Sequence, residues 1–471
     1  MRKDPWRMHY HLMPPDGWLN DPNGLCQYKG QYHVFFQYSP NTPAPDGRTA
    51  RTWGHYAGPD LLHLEFKGVP FWPETLDHDG CYSGSALTTE EGIWLFYTGN
   101  IKRKGDFDYI HDGREANEIR ILTDGEKFGE KELLLGTKDY PAHCTRHVRD
   151  PKVWKKGDFY YMVLGARIMD DPENPKEEKG AILFYKSKDL KNWTLLKELT
   201  TEEPFGYMWE CPDYFEMNGL SFLSFCPQGL PSEEYRNQNN HQSGYARLTG
   251  PLEGEQTPGK FHEWDYGFDF YAPQSFLDED DRRLLIGWVG LPDEPYKNPT
   301  KEKGWENCLT VPRELYLDDG VICQTPIREL FDLRGSGTSF RGGGTYLFPE
   351  GSGDVEIEFG NPTGEWKIIF GEKEAELSYK KGVLELSLSE EAGRGRKVRK
   401  VKVPEIRSMR ILIDASILEV YFDRYHYAMT SRFYPKYTEE TQWLKIHFEC
   451  PGAEIMVWNM NIMDTNYPYL L

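Results

Sequence analysis

The feature that most constrains how this chain can fold is a repeat with a period near 62 residues. A polar turn followed by an apolar run appears as KGQYHVFFQY from Lys29, EGIWLFYTGN from Glu91, KGDFYYMVLG from Lys156 and NGLSFLSFCP from Asn218. It returns more loosely as DDRRLLIGWVG from Asp280. The turn positions Gly30, Gly92, Gly157, Gly219 and Asp281 lie about 62, 65, 62 and 62 residues apart. A fixed period of this length means similar units that bury their apolar faces only by stacking on one another. The runs are short, rich in Val, Ile, Phe, Tyr and Trp, and bounded by turn formers, whereas long helical periodicity is nearly absent. Five such units predict a β-propeller with one four-stranded sheet per blade over residues 1–325.

The character then changes. Residues 326–338, which begin with PIRELFDLRGSG, read as a linker with room for a short helix. Over 339–471 the strands DVEIEFG, EWKIIFG, GVLELSLSE, RILIDASILEVYF and LKIHFE alternate apolar and polar residues, as expected of a β-sandwich. The expected fold class is therefore all-β, a five-bladed propeller followed by a C-terminal β-sandwich. The basic tract RGRKVRKVKV from Arg394 reads as an exposed edge strand guarded by charge.

A net charge of -20 opposes binding to nucleic acid or to an anionic membrane surface. No apolar run approaches a membrane span, and MRKDPWRMHYHLMPP lacks the core of a signal peptide. The eight cysteines contain no Cys-x-x-Cys pair and read as free thiols of a cytoplasmic protein. His9 and His11 alternate as on a strand and, without a third ligand nearby, predict no metal site. The DEDD run from Asp278 reads as a solvated hairpin turn.

A second pattern precedes each repeated turn: LNDPNG, YSGSA, VRDPKVW, WECPDYF and YAPQSF. Asp21, Ser83, Asp150 and Glu210 lie seven to nine residues ahead of their turn glycines. The innermost strand of every blade lines the propeller axis, so equivalent positions converge there. Three carboxylates would then share one cavity, a costly arrangement unless they are neutralised or used. A calcium-like oxygen cage is one use. Glycoside cleavage, which needs paired carboxylates and aromatic walls for the sugar, is the other, and 14 Trp, 29 Tyr and 25 Phe supply the walls. Glu210, between Trp209 and Cys211, is expected to hold a raised pKa and act as acid. Asp21, flanked by the amides of Asn20 and Asn23, is expected to stay ionised as nucleophile, and Asp150 to be held charged by Arg149.

WLNDPNG, YSGSA, RDPK, ECPD and IDASILEVYF together resemble glycoside hydrolase family 32, the β-fructofuranosidases, over nearly the whole chain. The resemblance implies a retaining enzyme with Asp21 as nucleophile, Glu210 as acid/base and Asp150 as transition-state stabiliser. It also implies a fructose pocket lined by Asn20, Gln37, Trp53, Tyr82, Ser83, Arg149, Tyr271 and Trp288, with a small sugar as partner and no metal or organic cofactor. The HYHLMPP opening and the YPAHCTRHVRDPKVW run look most like the bacterial sucrose and sucrose-6-phosphate hydrolases. Two departures fall on the leaving-group side: the loop SPNTPAPDGRTART has no Trp, and Leu64 stands where Trp is common. Arg103, Lys104, Arg146 and His147 lie near motifs but read as ordinary surface charges, since phosphate needs several converging donors. The alternatives are an intracellular exo-acting hydrolase of short fructo-oligosaccharides, an inverting five-bladed arabinanase or xylosidase, and a sugar-binding propeller without catalysis.

Overall fold

A computed structural model describes residues 4–169, 178–294, 296–437 and 442–465. Five sheets, each with four antiparallel strands and the first with an added short parallel strand, begin with the strands Gly17–Tyr28, Cys81–Thr88, Cys144–Lys156, Met208–Met217 and Tyr271–Leu277, each forming a hairpin with the strand that follows. These starting strands pack in sequence around one axis, and the fifth packs on the first. The repeat seen in the sequence is thus the inner hairpin of each blade, its Gly or Asp sitting at the tip with positive φ. The ring is closed by the connection inside blade 5. Trp305–Glu306 leaves that blade and pairs in parallel with Gly17 and Trp18 of blade 1, while Asn307 Nδ2 donates to the Leu19 carbonyl at 3.0 Å.

The axis is filled by polar side chains that bridge neighbouring blades. Lys152 Nζ donates to the Ser275 carbonyl and lies 3.3 Å from Asp213, whose carboxylate accepts from Ser275 N. Ser85 Oγ donates to the Pro151 carbonyl. Each donor meets an acceptor from another blade, which lets buried polar groups set the relative positions of the sheets. Asp278 belongs to the same class of contact: it is buried, accepts from Arg282 and Tyr32, and joins blade 5 to blade 1. Only the rest of the DEDD turn is solvated.

The last propeller strand ends at Pro326, a 3-10 turn spans Arg328–Leu333, and the strand Arg334–Pro349 follows at once. The C-terminal module is one continuous hydrogen-bonded network of ten strands. It doubles over because the strand Trp443–Met460 pairs with Trp366–Phe370 through its first half and with Ser352–Glu358 through its second. The bend falls at Gly452, which has a φ of 77°. Between the layers lies an apolar core that includes Phe348, Ile368, Leu377, Ile411, Val420 and Ile455. The basic strand Val398–Lys402 is at the edge, as expected, yet it is not left to solvent. Gln238 exchanges two hydrogen bonds with the Lys400 backbone, and Arg399 donates to Asn239 Oδ1, so a propeller loop caps that edge.

The interface between the modules is rich in buried charge. Arg313 is fully buried and meets Glu419 at 2.7 Å, Thr430 at 2.6 Å and Asp265 at 3.3 Å. The histidines expected on a strand instead lie in an irregular strap ahead of blade 1. His11 places Nδ1 2.8 Å from Asp414 and Nε2 2.8 Å from Glu419, and His9 bridges Asp414 and Glu350. Both rings are absorbed by carboxylates of the C-terminal module.

Candidate active site

Each of the three carboxylates sits at an irregularity of an inner strand. The pairing of the first strand with its neighbour slips between Leu19 and Pro22, that of the third between Arg149 and Lys152, and that of the fourth between Glu210 and Asp213. Such bulges unpair one residue and re-aim its side chain. Asp150 and Cys211 adopt φ of 66° and 47°, and Ala272 in blade 5 adopts 46°. The sequence shows why the strands break here, because Pro22, Pro151, Pro212 and Pro273 cannot donate to a ladder.

The positions are not equivalent, contrary to expectation. Glu210 stands 61 residues from Arg149 and 61 from Tyr271, and all three bound the bulge on the same side. Cys211, not Glu210, occupies the register position of Asp150. The cluster therefore has two tiers, one carrying Arg149, Glu210 and Tyr271, the other Asp150 and Cys211, with Asp21 reaching in from blade 1.

A cavity of about 600 Å³ opens over this cluster. Asp21 Oδ1 accepts from Asn20 Nδ2 at 3.0 Å, and its Oδ2 accepts from Ser83 Oγ at 2.5 Å. Asn23 turns away, its Oδ1 accepting from Gly84 N, so only one of the two expected amides serves Asp21. The Cys211 thiol lies 3.6 Å from both Asp21 Oδ2 and Asp150 Oδ2, and Cys211 N donates to Asp150 Oδ2 at 2.9 Å. Glu210 is held at both oxygens. Arg149 Nη2 donates to Oε1 at 2.5 Å, while Tyr271 OH and Gln228 Nε2 donate to Oε2 at 2.7 and 2.8 Å.

These contacts reverse part of the expected charge pattern. Burial raises the Glu210 carboxyl, but the Arg149 guanidinium and the hydrogen bonds from Arg149 and Tyr271 outweigh it, so Glu210 ends below its ordinary value. Burial, with the charges of Glu210 and Asp21 beside it, pushes Asp150 up to about 7 against the pull of Arg149, 3.9 Å away. Burial also raises Asp21, against the bonds from Ser83 and Asn20. Burial is thus compensated by a cation and hydrogen bonds at Glu210 more fully than at Asp150.

Asn20, Gln37, Tyr82, Ser83, Arg149, Tyr271 and Trp288 all line the cavity. Trp53 does not. It is fully buried behind the wall, packs on Phe35, Phe71 and Tyr97, and donates from Nε1 to the Tyr82 carbonyl. The Trp288 indole N–H and the Gln37 side-chain carbonyl are buried without a hydrogen-bond partner, so the wall offers a donor and an acceptor. Trp18 meets Trp288 edge-on at 6.0 Å and completes an apolar side.

Sequence reasoning missed Gln228, Arg51 and Arg114 in the lining, and Cys211 between the carboxylates. Cys211 lies inside a motif already singled out, whereas nothing local marks Gln228, Arg51 or Arg114. His147, read as a surface charge, lines the cavity instead. Burial and the neighbouring guanidinium groups of Arg149, Arg114 and Arg167 lower its pKa to about 2, so the ring is neutral. Arg103, Lys104 and Arg146 are absent from the wall, and Arg103 is exposed and paired with Asp112.

Residues 11–326 match the family model described as the glycosyl hydrolases family 32 N-terminal domain, and residues 369–463 match that for the C-terminal part. The chain is 34% identical over 451 residues to a sucrose-6-phosphate hydrolase of Bacillus subtilis, covering 92% of this chain and 90% of that protein. Among solved structures, the sucrose-6-phosphate hydrolase from Lactobacillus gasseri superposes with a TM-score of 0.86 at 28% identity, over 98% of this chain and 94% of that one. A Bombyx mori β-fructofuranosidase variant in complex with sucrose gives 0.82 at 28% identity, over 98% and 95%.

Proposed function

The chain belongs to glycosyl hydrolase family 32, and we propose that it cleaves terminal β-D-fructofuranosyl residues from sucrose and sucrose 6-phosphate by double displacement at Asp21. The observation that carries the reading is the convergence of Asp21, Asp150 and Glu210 on one aromatic-walled cavity. The 90% coverage of the Bacillus subtilis relative supports the substrate class.

In this reading Asp21 attacks the anomeric carbon. Its side chain is pinned at both oxygens by Asn20 and Ser83, so its orientation is set before substrate arrives. The C–O bond to the leaving sugar breaks as Glu210 delivers a proton to that oxygen, leaving a fructosyl ester on Asp21. Glu210, now ionised, takes a proton from water, whose oxygen attacks the anomeric carbon as the bond from that carbon to Asp21 breaks, freeing the carboxylate. Asp150, as a carboxylate 3.9 Å from Arg149, accepts hydrogen bonds from fructosyl hydroxyls, and the Trp288 N–H and Gln37 side-chain carbonyl, unpaired among the described residues, complete the sugar's partners.

Two measurements test this. NMR of fresh product from sucrose should show β-fructofuranose first; the α anomer would mean inversion and remove Asp21 from the role of nucleophile. Comparison of kcat/KM on sucrose, sucrose 6-phosphate and kestose separates this substrate class from short fructo-oligosaccharides, which would be favoured by an exo-acting fructanase.

A further inference from the structure

The cavity holds a cation that no carboxylate among the described residues neutralises. Contacts run outward from Glu210 to Arg149, then to His147 through Arg149 Nη1 and His147 Nδ1 at 2.9 Å, then to Arg114 through His147 Nε2 and Arg114 Nη1 at 3.1 Å. A neutral imidazole has one lone pair to offer. Arg149 takes it at Nδ1, so Nε2 carries the proton and donates to the Tyr109 carbonyl at 3.2 Å. Arg114 Nη1 therefore faces an N–H and gains no acceptor from the ring.

Arg114 Nε is buried and has no hydrogen-bond partner, and among the described residues no carboxylate comes within 4 Å of the guanidinium. Burial, with Arg149 close by, lowers its pKa, the signature of a cation lacking compensation. Arg51 stands on the same wall, 5.7 Å over the Tyr82 ring, and it too has no carboxylate partner among the described residues. The acidic lining residues Asp293, Glu294 and Glu306 come from a different segment, the connection inside blade 5. Arg114 is half-buried and Arg51 exposed; leaving the buried Nε and the charge of Arg114 uncompensated is costly, and a dianion with several acceptor oxygens relieves that cost.

The geometry points to a phosphate subsite formed by Arg114 and Arg51, which receives a phosphomonoester carried by the leaving sugar. This rests on the fructofuranosidase reading of the same cavity. Glu210 protonates the oxygen between the two sugars, and the chain of contacts to Arg114 starts at Glu210 and includes no group bonded to Asp21. The basic wall thus lies on the side of the sugar that departs. With a net charge of -20 the protein as a whole does not attract an anion, so selection for phosphate must come from local contacts.

The test is the ratio of kcat/KM for sucrose 6-phosphate to that for sucrose, in the wild type, Arg114→Gln, Arg114→Lys and the control Arg103→Gln. A charge-assisted contact predicts that Arg114→Gln lowers the ratio roughly 10- to 100-fold, with partial recovery in Arg114→Lys. Inhibition of sucrose hydrolysis by inorganic phosphate should weaken in parallel, which shows that the phosphate group itself is read. A ratio unchanged in Arg114→Gln, or lowered equally in Arg103→Gln, overturns the subsite while leaving the fructofuranosidase reading intact. A wild-type protein that hydrolyses neither sugar refutes that reading itself. Circular dichroism and thermal midpoints separate a folding defect from a lost contact, and the ratio is read only on folded variants.

Discussion

The strap ahead of blade 1 is locked by a buried ion pair whose strength depends on pH. In His11 both ring nitrogens face carboxylates, Asp414 and Glu419, each at 2.8 Å, so the ring must carry two protons. Burial alone would lower its pKa, but the hydrogen bonds and charges of Asp414 and Glu419 reverse this and raise it to about 9 from 6.5. The difference corresponds to about 3 kcal/mol of stability. Because the folded value is the higher one, that stability is fully present below about pH 6.5 and is lost as pH rises through 9. The partners act at the other end: Glu419 is lowered to about 2, burial being outweighed by Arg313 and His11, so its contribution fails only in strong acid. Replacing His11 by Gln should cost about 3 kcal/mol near pH 6 in urea unfolding. The gap between variant and wild type should then shrink by about the same amount as pH is raised past 9, at close to 1.4 kcal/mol per unit in the middle of the window. A gap that stays constant or widens with pH would show that His11 is not held as an imidazolium.

Three further outcomes follow from the site and its frame. Asp21→Ala and Glu210→Ala should each lose about 10⁴-fold or more in kcat on sucrose, as expected of groups that act as a unit, whereas full activity in either would refute the assignment. Tyr271→Phe removes the hydroxyl that donates to Glu210 Oε2 at 2.7 Å. Since that bond lowers the Glu210 pKa, the alkaline limb of the pH–rate profile, where the acid is lost, should move upward. Arg313→Met leaves Asp265 and Glu419 without their shared cation and should destabilise the chain by about 3–5 kcal/mol in denaturant unfolding.

The architecture was legible because the propeller repeats one physical solution five times. Each inner hairpin needs a turn former at its tip and an apolar run behind it, and KGQYHVFFQY and its relatives display both within ten residues. The candidate carboxylates were legible for a related reason: prolines interrupt the inner strands where the bulges fall, so the functional residues stand next to a visible break. What stayed hidden depends on contacts between blades. Glu210 reads as an isolated acid among apolar neighbours until Arg149, 61 residues earlier, is seen to donate to it. Trp53 carries the aromatic signature of a sugar wall, yet its indole supports the Tyr82 backbone from behind. His9 and His11 show strand-like spacing, and their partners lie about 400 residues away. Arg114 has no local mark at all, because an unpaired guanidinium is defined by what does not surround it.

A covalent bond between Asp21 and the fructosyl group is detected by quenching wild-type turnover of sucrose in acid and mapping the digested protein by mass spectrometry. The peptide that contains Asp21 should carry one additional anhydrohexose. An adduct on the peptide of Asp150 or Glu210 instead would remove Asp21 from the role of nucleophile.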